Sequence, residues 1–389
     1  MSTVGVVMRT LCVVAILFWS GSAAAYPWML KHDLTGCSSC HVDPSGAGQL
    51  TMFGRLESEQ LVRWTPTPSP DPMRNASFLW FLQLPAEVNL SGNLRFGALI
   101  APGAPKTVTP LEMAADLAAT LTVAEKLVLH GTGGFGRRDA IAAAAVAPHC
   151  EPSSPGECGP SFVARTYWAG AKVVNDTIFI RGGRIPVPFG LRNNEHSTWV
   201  RALTLTDTNV QQRLGVSAAY TGGQLRAEVM GIASTTLVDT NESGYSAFAE
   251  YSFTTRTSLG VSSLIAGRPQ LGATARQAHG AFFRWAPVQP VVVLAEADLL
   301  TWTTPGVADR VGYAALVQGD WEPIQGVHVM LTAESAHNGQ QRGPSFGAWL
   351  SAAWYFFSHF ELRLDNVLRR VDATQPLSYA LVLQLHLFL

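Results

Sequence analysis

Val291-Val292-Val293-Leu294-Ala295-Glu296-Ala297-Asp298-Leu299-Leu300 decides the fold of this chain. Val293, Ala295, Ala297 and Leu299 alternate with Leu294, Glu296 and Asp298, so a strand would send the two sets to opposite faces. The pattern recurs with Val327, Val329, Leu331 and Ala333 against His328, Met330, Thr332 and Glu334. It recurs again with Phe360, Leu362 and Leu364 against Glu361, Arg363 and Asp365. In a membrane barrel the apolar set meets lipid and the charged set meets the lumen. A soluble β-sandwich alternates too. The number of strands and the spacing between them favour the barrel.

Sixteen strands are expected, at 87–99, 111–123, 126–136, 162–174, 177–185, 211–220, 224–234, 244–253, 256–266, 276–286, 290–302, 310–322, 325–337, 345–357, 359–371 and 377–388. Short connections such as Asn175-Asp176, Thr221-Gly222-Gly223 and Pro323-Ile324 alternate with longer ones such as 137–161, 186–210 and 338–344. Outer-membrane barrels have even strand numbers, short periplasmic turns and long external loops. Trp199 to Thr206 also reads as a strand, but a seventeenth would break the alternation. The stretch 186–210 is therefore read as a long loop entering the lumen, with Arg192, Glu195, His196 and Arg201 lining a constriction or facing solvent. The last strand carries its apolar set to the terminus, with Phe388 penultimate and Leu389 last.

Composition agrees. Charged residues are 14%, against about 25% in soluble domains, and mean hydropathy is +0.15. Beyond the first residues no apolar run is long enough for a helical span. A net charge of −1 offers no argument for a nucleic-acid partner. Arg9, the apolar run Leu11–Trp19 and the small residues Ser20–Ala25 read as a secretory signal over 1–25, with no cysteine at the cleavage point for a lipid anchor.

A different signal lies at Cys37-Ser38-Ser39-Cys40-His41. C-x-x-C-H in an exported chain reads as attachment of one c-type haem. Cys37 and Cys40 would form the thioether bonds, and His41 would be the proximal iron ligand. The rivals are a zinc site using Cys37, Cys40, His41 and His32, and a Cys37–Cys40 disulfide. Met52 is the first candidate for the distal ligand, with His32, Met29 or an open position as alternatives. Phe53 and Leu56 would pack on the porphyrin. The haem segment covers 26–63, too short to bury much core without its cofactor or a host surface. A Pro-rich linker follows over 64–85, and the barrel occupies 86–389. Of the five cysteines, Cys12 leaves with the signal. Cys150 and Cys158 bracket a Pro- and Ser-containing loop and are expected to form a disulfide in an oxidising compartment.

The arrangement resembles the fused cytochrome–porin family of outer-membrane proteins. The resemblance rests on Cys37, Cys40 and His41, on Phe53-Gly54 after the motif, and on 183–192, which resembles a porin strand-to-loop segment. It implies a periplasmic or lumenal haem, a periplasmic cytochrome as partner, outer-membrane lipid around the barrel, and ferrous iron as a donor. Glu296, Asp298, Asp320, Glu334, Glu361 and Asp365 would face the lumen, attracting cations or solvating an ordinary pore. Three functions stay open: electron transfer, which includes iron oxidation; a substrate-specific porin with a haem-bearing plug or redox gate; and an enzyme with an open haem site. No nucleophile triad, phosphate loop or second metal motif points elsewhere. Monomer and trimer both remain open.

Overall fold

The computed structural model describes residues 27–34, 36–46, 48–64, 70–102, 107–136, 161–174, 176–192, 198–207, 211–233, 242–267 and 275–388. The signal segment, Glu195, His196, Cys150 and Cys158 lie outside the described residues.

Sixteen antiparallel strands close into one barrel. They are β1 (Val88–Ile100), β2 (Val108–Val123), β3 (Leu127–Gly136), β4 (Ser161–Val173), β5 (Ile178–Pro186), β6 (Gln212–Gly222), β7 (Leu225–Ile232) and β8 (Ser243–Thr254). The second half holds β9 (Thr257–Gly267), β10 (Ala275–Val288), β11 (Val291–Thr303), β12 (Arg310–Ile324), β13 (Val327–His337), β14 (Ser345–Phe357), β15 (Phe360–Arg370) and β16 (Ser378–Phe388). Each pairs with its neighbours in sequence, and β1 pairs with β16 from Asn93↔Phe388 to Ile100↔Leu381. Closure gives every strand a paired neighbour on each side, which is what a hydrocarbon environment demands of a sheet.

The alternation read from the sequence is the alternation of the wall. Glu296, Asp298, Asp320, His328, Glu334, Glu361 and Asp365 are buried on the lumen side, while Leu299, Val317, Leu331 and Leu350 are exposed on the outside. Trp285, Trp321 and Trp354 stand on the outer face just before three short turns, and Tyr245, Tyr313 and Tyr379 stand near the opposite rim. Aromatic residues at both rims mark the two interfaces of a lipid-spanning band. Among the described residues no helix is long and apolar enough to cross a membrane; the strands do the crossing.

Strand ends differ from the sequence reading where proline misleads it. β2 starts at Val108, three residues earlier than expected, and includes Pro110. There β2 pairs only with β1, because pairing with β3 begins at Ala115. One side of the strand is thus an edge, where a missing N–H costs nothing. Pro287 and Pro323 sit at register shifts near the ends of β10 and β12, again where no ladder bond is lost.

Among the described residues there are also three short α-helices: α1 (Met52–Glu57), α2 (Pro72–Ala76) and α3 (Trp199–Thr204). Within the Pro-rich stretch 64–85, Asp71 caps α2 through the Arg74 N–H, and proline opens the helix. The Trp199 stretch is a helix in the lumen, not a strand. Trp199 and Val200 pack with Val187, Phe189, Leu264, Leu300 and Leu316 against the inside of the wall.

Candidate functional site

The amino-terminal segment 27–64 lies inside the barrel at the mouth that carries the short turns. It has too little apolar surface to fold alone, so the wall supplies its partners. Lys31, fully buried, pairs with Glu322 at 2.6 Å and Asp320 at 3.3 Å. Asp33 pairs with Arg256 at 2.9 Å in the β8–β9 turn. Arg55 donates to the Asn89 side chain at 2.6 Å and to the Leu90 carbonyl. Gln325, in the β12–β13 turn, donates to the carbonyls of Gln60 and Arg63. Trp28, Met29, Leu30, Leu34, Cys40 and Val62 share an apolar cluster with wall residues Phe248, Phe282, Val292 and Tyr355.

The C-x-x-C-H stretch forms one helical turn in this plug. The N–H groups of Cys40 and His41 both donate to the Cys37 carbonyl, at 3.2 and 2.9 Å. The turn sets Cys37 and Cys40 three residues apart, and His41 follows it in a bridge to Leu50. Both cysteines are buried free thiols, so the disulfide reading of this pair is set aside. Burial pushes the Cys40 thiol up. His41 Nδ1 lies 3.1 Å from the Gly48 carbonyl oxygen. A donating Nδ1 makes Nε2 the basic nitrogen, the tautomer a metal-ligating histidine uses.

Two glycines permit this packing. A Cβ on Gly54 would lie 2.9 Å from Cys40 Cβ, so only glycine lets α1 lie against the turn. Gly46 has φ +92°, and a Cβ there would lie 2.8 Å from Cys37 Sγ. Thr51 caps α1 through the Gly54 N–H and donates its hydroxyl to the Ser39 carbonyl at 2.8 Å. Asp43 accepts from the Ser45 N–H and hydroxyl and pairs with Arg181 at 2.9 Å. Burial would raise its carboxyl, but Arg181 beside it holds it at about 2.

The other sequence candidates are placed as follows. Met52 and Phe53 open α1 and are exposed. Met29 is buried in the cluster that holds Cys40. His32 faces the wall, its Nε2 3.8 Å from Glu322. Burial lowers its pKa to about 4. Among the described residues no three His, Cys, Asp or Glu side chains close around a metal-sized point, so the four-ligand zinc site is not assembled. The donor set of Cys37, Cys40 and His41 does fit a c-type haem: unbridged thiols and an oriented imidazole on one turn.

Deeper in the lumen, Arg192 and Arg201 are both buried. Arg201 pairs with Glu296 at 2.6 Å and donates to the Leu191 carbonyl. The lumen acids are not a free cation-attracting row. Glu334 pairs with Arg369 at 2.6 Å, Glu361 with His386 at 3.0 Å and Asp365 with Arg363 at 2.7 Å. Asp298 differs, since neither of its oxygens has a hydrogen-bond partner. Sequence reasoning missed Lys31, Asp43 and Arg181, whose ion-pair partners lie far off in the chain.

No protein-family model matches the sequence, and no curated protein matches it. Solved structures do. OmpT of Vibrio cholerae, in a trimer form, aligns with a TM-score of 0.60 at 10% identity, over 78% of this chain and 99% of that one. An anion-selective porin from Comamonas acidovorans gives 0.58 at 10%, over 78% and 99%. The outer membrane channel DcaP of Acinetobacter baumannii gives 0.55 at 13%, over 78% and 97%. The chain thus has the porin-type fold, a closed sixteen-stranded antiparallel barrel.

Proposed function

We propose that this is an outer-membrane electron-transfer protein whose plug carries one c-type haem on Cys37, Cys40 and His41. Electrons would pass between a donor reached from outside, ferrous iron among them, and a periplasmic cytochrome. One observation carries the reading: a C-x-x-C-H turn with free thiols, anchored inside a lipid-facing barrel. A c-type haem supplies one-electron chemistry, and its axial ligands and burial set the potential. The chain's own part is to hold that turn in the mouth, exclude water with the Cys40 cluster, and fix the His41 tautomer through Gly48.

The test is haem staining after denaturing electrophoresis of the mature protein, made in cells that attach c-type haem, with a spectrum before and after ferrous iron. A covalent haem band and a low-spin spectrum reduced by ferrous iron are expected. No covalent haem overturns the reading. A high-spin spectrum would move it to an open-site enzyme.

The porin-type barrel and the loop folded into its lumen favour a second reading, a substrate-specific porin gated by the plug. Planar-bilayer conductance that changes with the redox state of the plug would support it. A tightly closed barrel with reducible haem would remove it. A trimer, the form named for OmpT, is the assembly to seek by native mass measurement in detergent.

A further inference from the structure

A surface unconnected with the haem reading lies where the chain crosses from the plug to β1. Asn75 to Ala86 carries no charged side chain and includes Phe78, Leu79, Trp80, Phe81, Leu82 and Leu84. Phe81 is 71% exposed, more than any other large apolar side chain among the described residues, and Leu82 beside it is 37% exposed. A contiguous exposed apolar patch marks an interaction surface.

We propose that the turn Phe78–Leu82 is a lipid-binding hook outside the barrel wall. It sets Phe81 and Leu82 among the upper acyl chains of the leaflet on the short-turn side, which in such barrels is the periplasmic one.

Three observations carry this. The first is height. The Asn75 carbonyl accepts from His359 Nε2 in the β14–β15 turn, and Trp80 stands edge-on to the His359 ring at 5.3 Å. The root of the hook is thus tied to the rim of the barrel. The second is side. Trp80 stacks on Phe360 at 6.1 Å and 15°. Phe360 belongs to the outward set of β15 and packs with Phe356 and Phe357 at 5.7 and 6.3 Å. Phe357 is itself exposed on the outer face, as is Trp354. The hook therefore continues the aromatic ring at the lipid boundary and does not cover the lumen. The third is the backbone. Leu79 and Trp80 have φ of 54° and 63°, a left-handed conformation that is costly for bulky side chains. The Leu82 N–H closes the reversal on the Phe78 carbonyl at 3.0 Å. This leaves Trp80 on the wall and Phe81 free of it. Transfer of Phe81 and Leu82 into hydrocarbon offsets the strain in proportion to the apolar area removed from water.

Charge limits the depth. Asp71 and Arg74 on α2 and Glu87 before β1 are exposed on either side of the hook. Ionised groups stay at headgroup level, so the hook enters the boundary and goes no further. A soluble protein would have to displace lipid from Phe357 and Phe360 to reach Phe81. The competing occupant is a second copy of this chain packed side by side in the membrane.

The experiment places the full mature chain, one per disc, in lipid nanodiscs of phosphatidylethanolamine and phosphatidylglycerol. A fraction of the lipid carries a diazirine at the top of one acyl chain. After photolysis, peptide mass spectrometry should find lipid adducts within Phe78–Leu82 and, as the wall control, at Phe357. Hydroxyl-radical labelling of the same discs should leave Phe81 protected relative to the unfolded chain. Phe81→Asp should lose the hook adducts and keep those at Phe357, while Phe81→Trp should retain both. Adducts at Phe357 with none in the hook overturn the proposal, as does Phe81 labelled as fast as in the unfolded chain. Protection of Phe81 that appears only in discs holding several chains overturns it in favour of the second copy. Heat-modified gel mobility checks that Phe81→Asp is folded. The adducts on the unaltered protein decide the matter if it is not.

Discussion

Replacing Lys31 with methionine should release the plug. Lys31→Met keeps the stem against Trp28, over whose ring the ammonium sits at 4.7 Å, and removes the charge. Glu322 at 2.6 Å and Asp320 at 3.3 Å then lose the plug's cation in a site with almost no solvent. Breaking a buried pair by removing one partner costs about 3–5 kcal/mol. At about 1.4 kcal/mol per factor of ten, the released population rises by about two to three and a half powers of ten. Limited proteolysis of the barrel in liposomes, with protease on the side of the short turns, reads that population when reclosing outpaces cleavage. Cleavage within 27–64 should accelerate by at least about 100-fold. Adding Glu322→Gln should recover much of the loss, because it removes one orphaned carboxylate. Cleavage in Lys31→Met at the wild-type rate would refute the claim that this ion pair holds the plug, as would a double variant looser than the single one.

Acid should loosen the plug as well. His32 titrates at about 4 when docked and at about 6.5 when released. Docking is thus at full strength above pH 6.5 and weakens as pH falls, by about 3 kcal/mol at pH 4. Proteolysis across that window should show the rise, and His32→Asn should flatten it. Gly54→Ala should push α1 off the Cys40 turn at about 1–3 kcal/mol, seen as faster exchange of the α1 amides. Arg201→Ala leaves Glu296 buried without its cation, at about 3–5 kcal/mol. It should free the lumen loop, measured as increased bilayer conductance.

The barrel was readable because lipid and lumen impose opposite demands on successive side chains, so each strand carries its own evidence. The C-x-x-C-H motif was visible because it occupies five consecutive residues. What was hidden depends on distant partners. Trp199-Val200-Arg201-Ala202-Leu203-Thr204 carries the β-branched and aromatic residues of a strand. It is a helix because the Glu334 carboxylate accepts the Trp199 N–H at 2.9 Å and the lumen wall buries its apolar side. No sequence window contains both residues. Lys31 and Asp320 are likewise separated by 289 positions. Lumen-facing carboxylates were visible, but the cations set against them needed the closed barrel: Glu334 meets Arg369 two strands away, and Glu296 meets Arg201 on the lumen helix.

The plug precedes β1 in the chain, yet it is enclosed by all the strands that follow it. Its Gln49 and Arg55 are tied to Asn89 on the first strand, and the ring shuts only when β16 meets β1. In the finished molecule Cys40 is wholly inaccessible and Cys37 is 8% exposed. Any chemistry at these thiols therefore needs the plug out of the mouth, either before the final seam is made or during an excursion of the kind that Lys31→Met promotes.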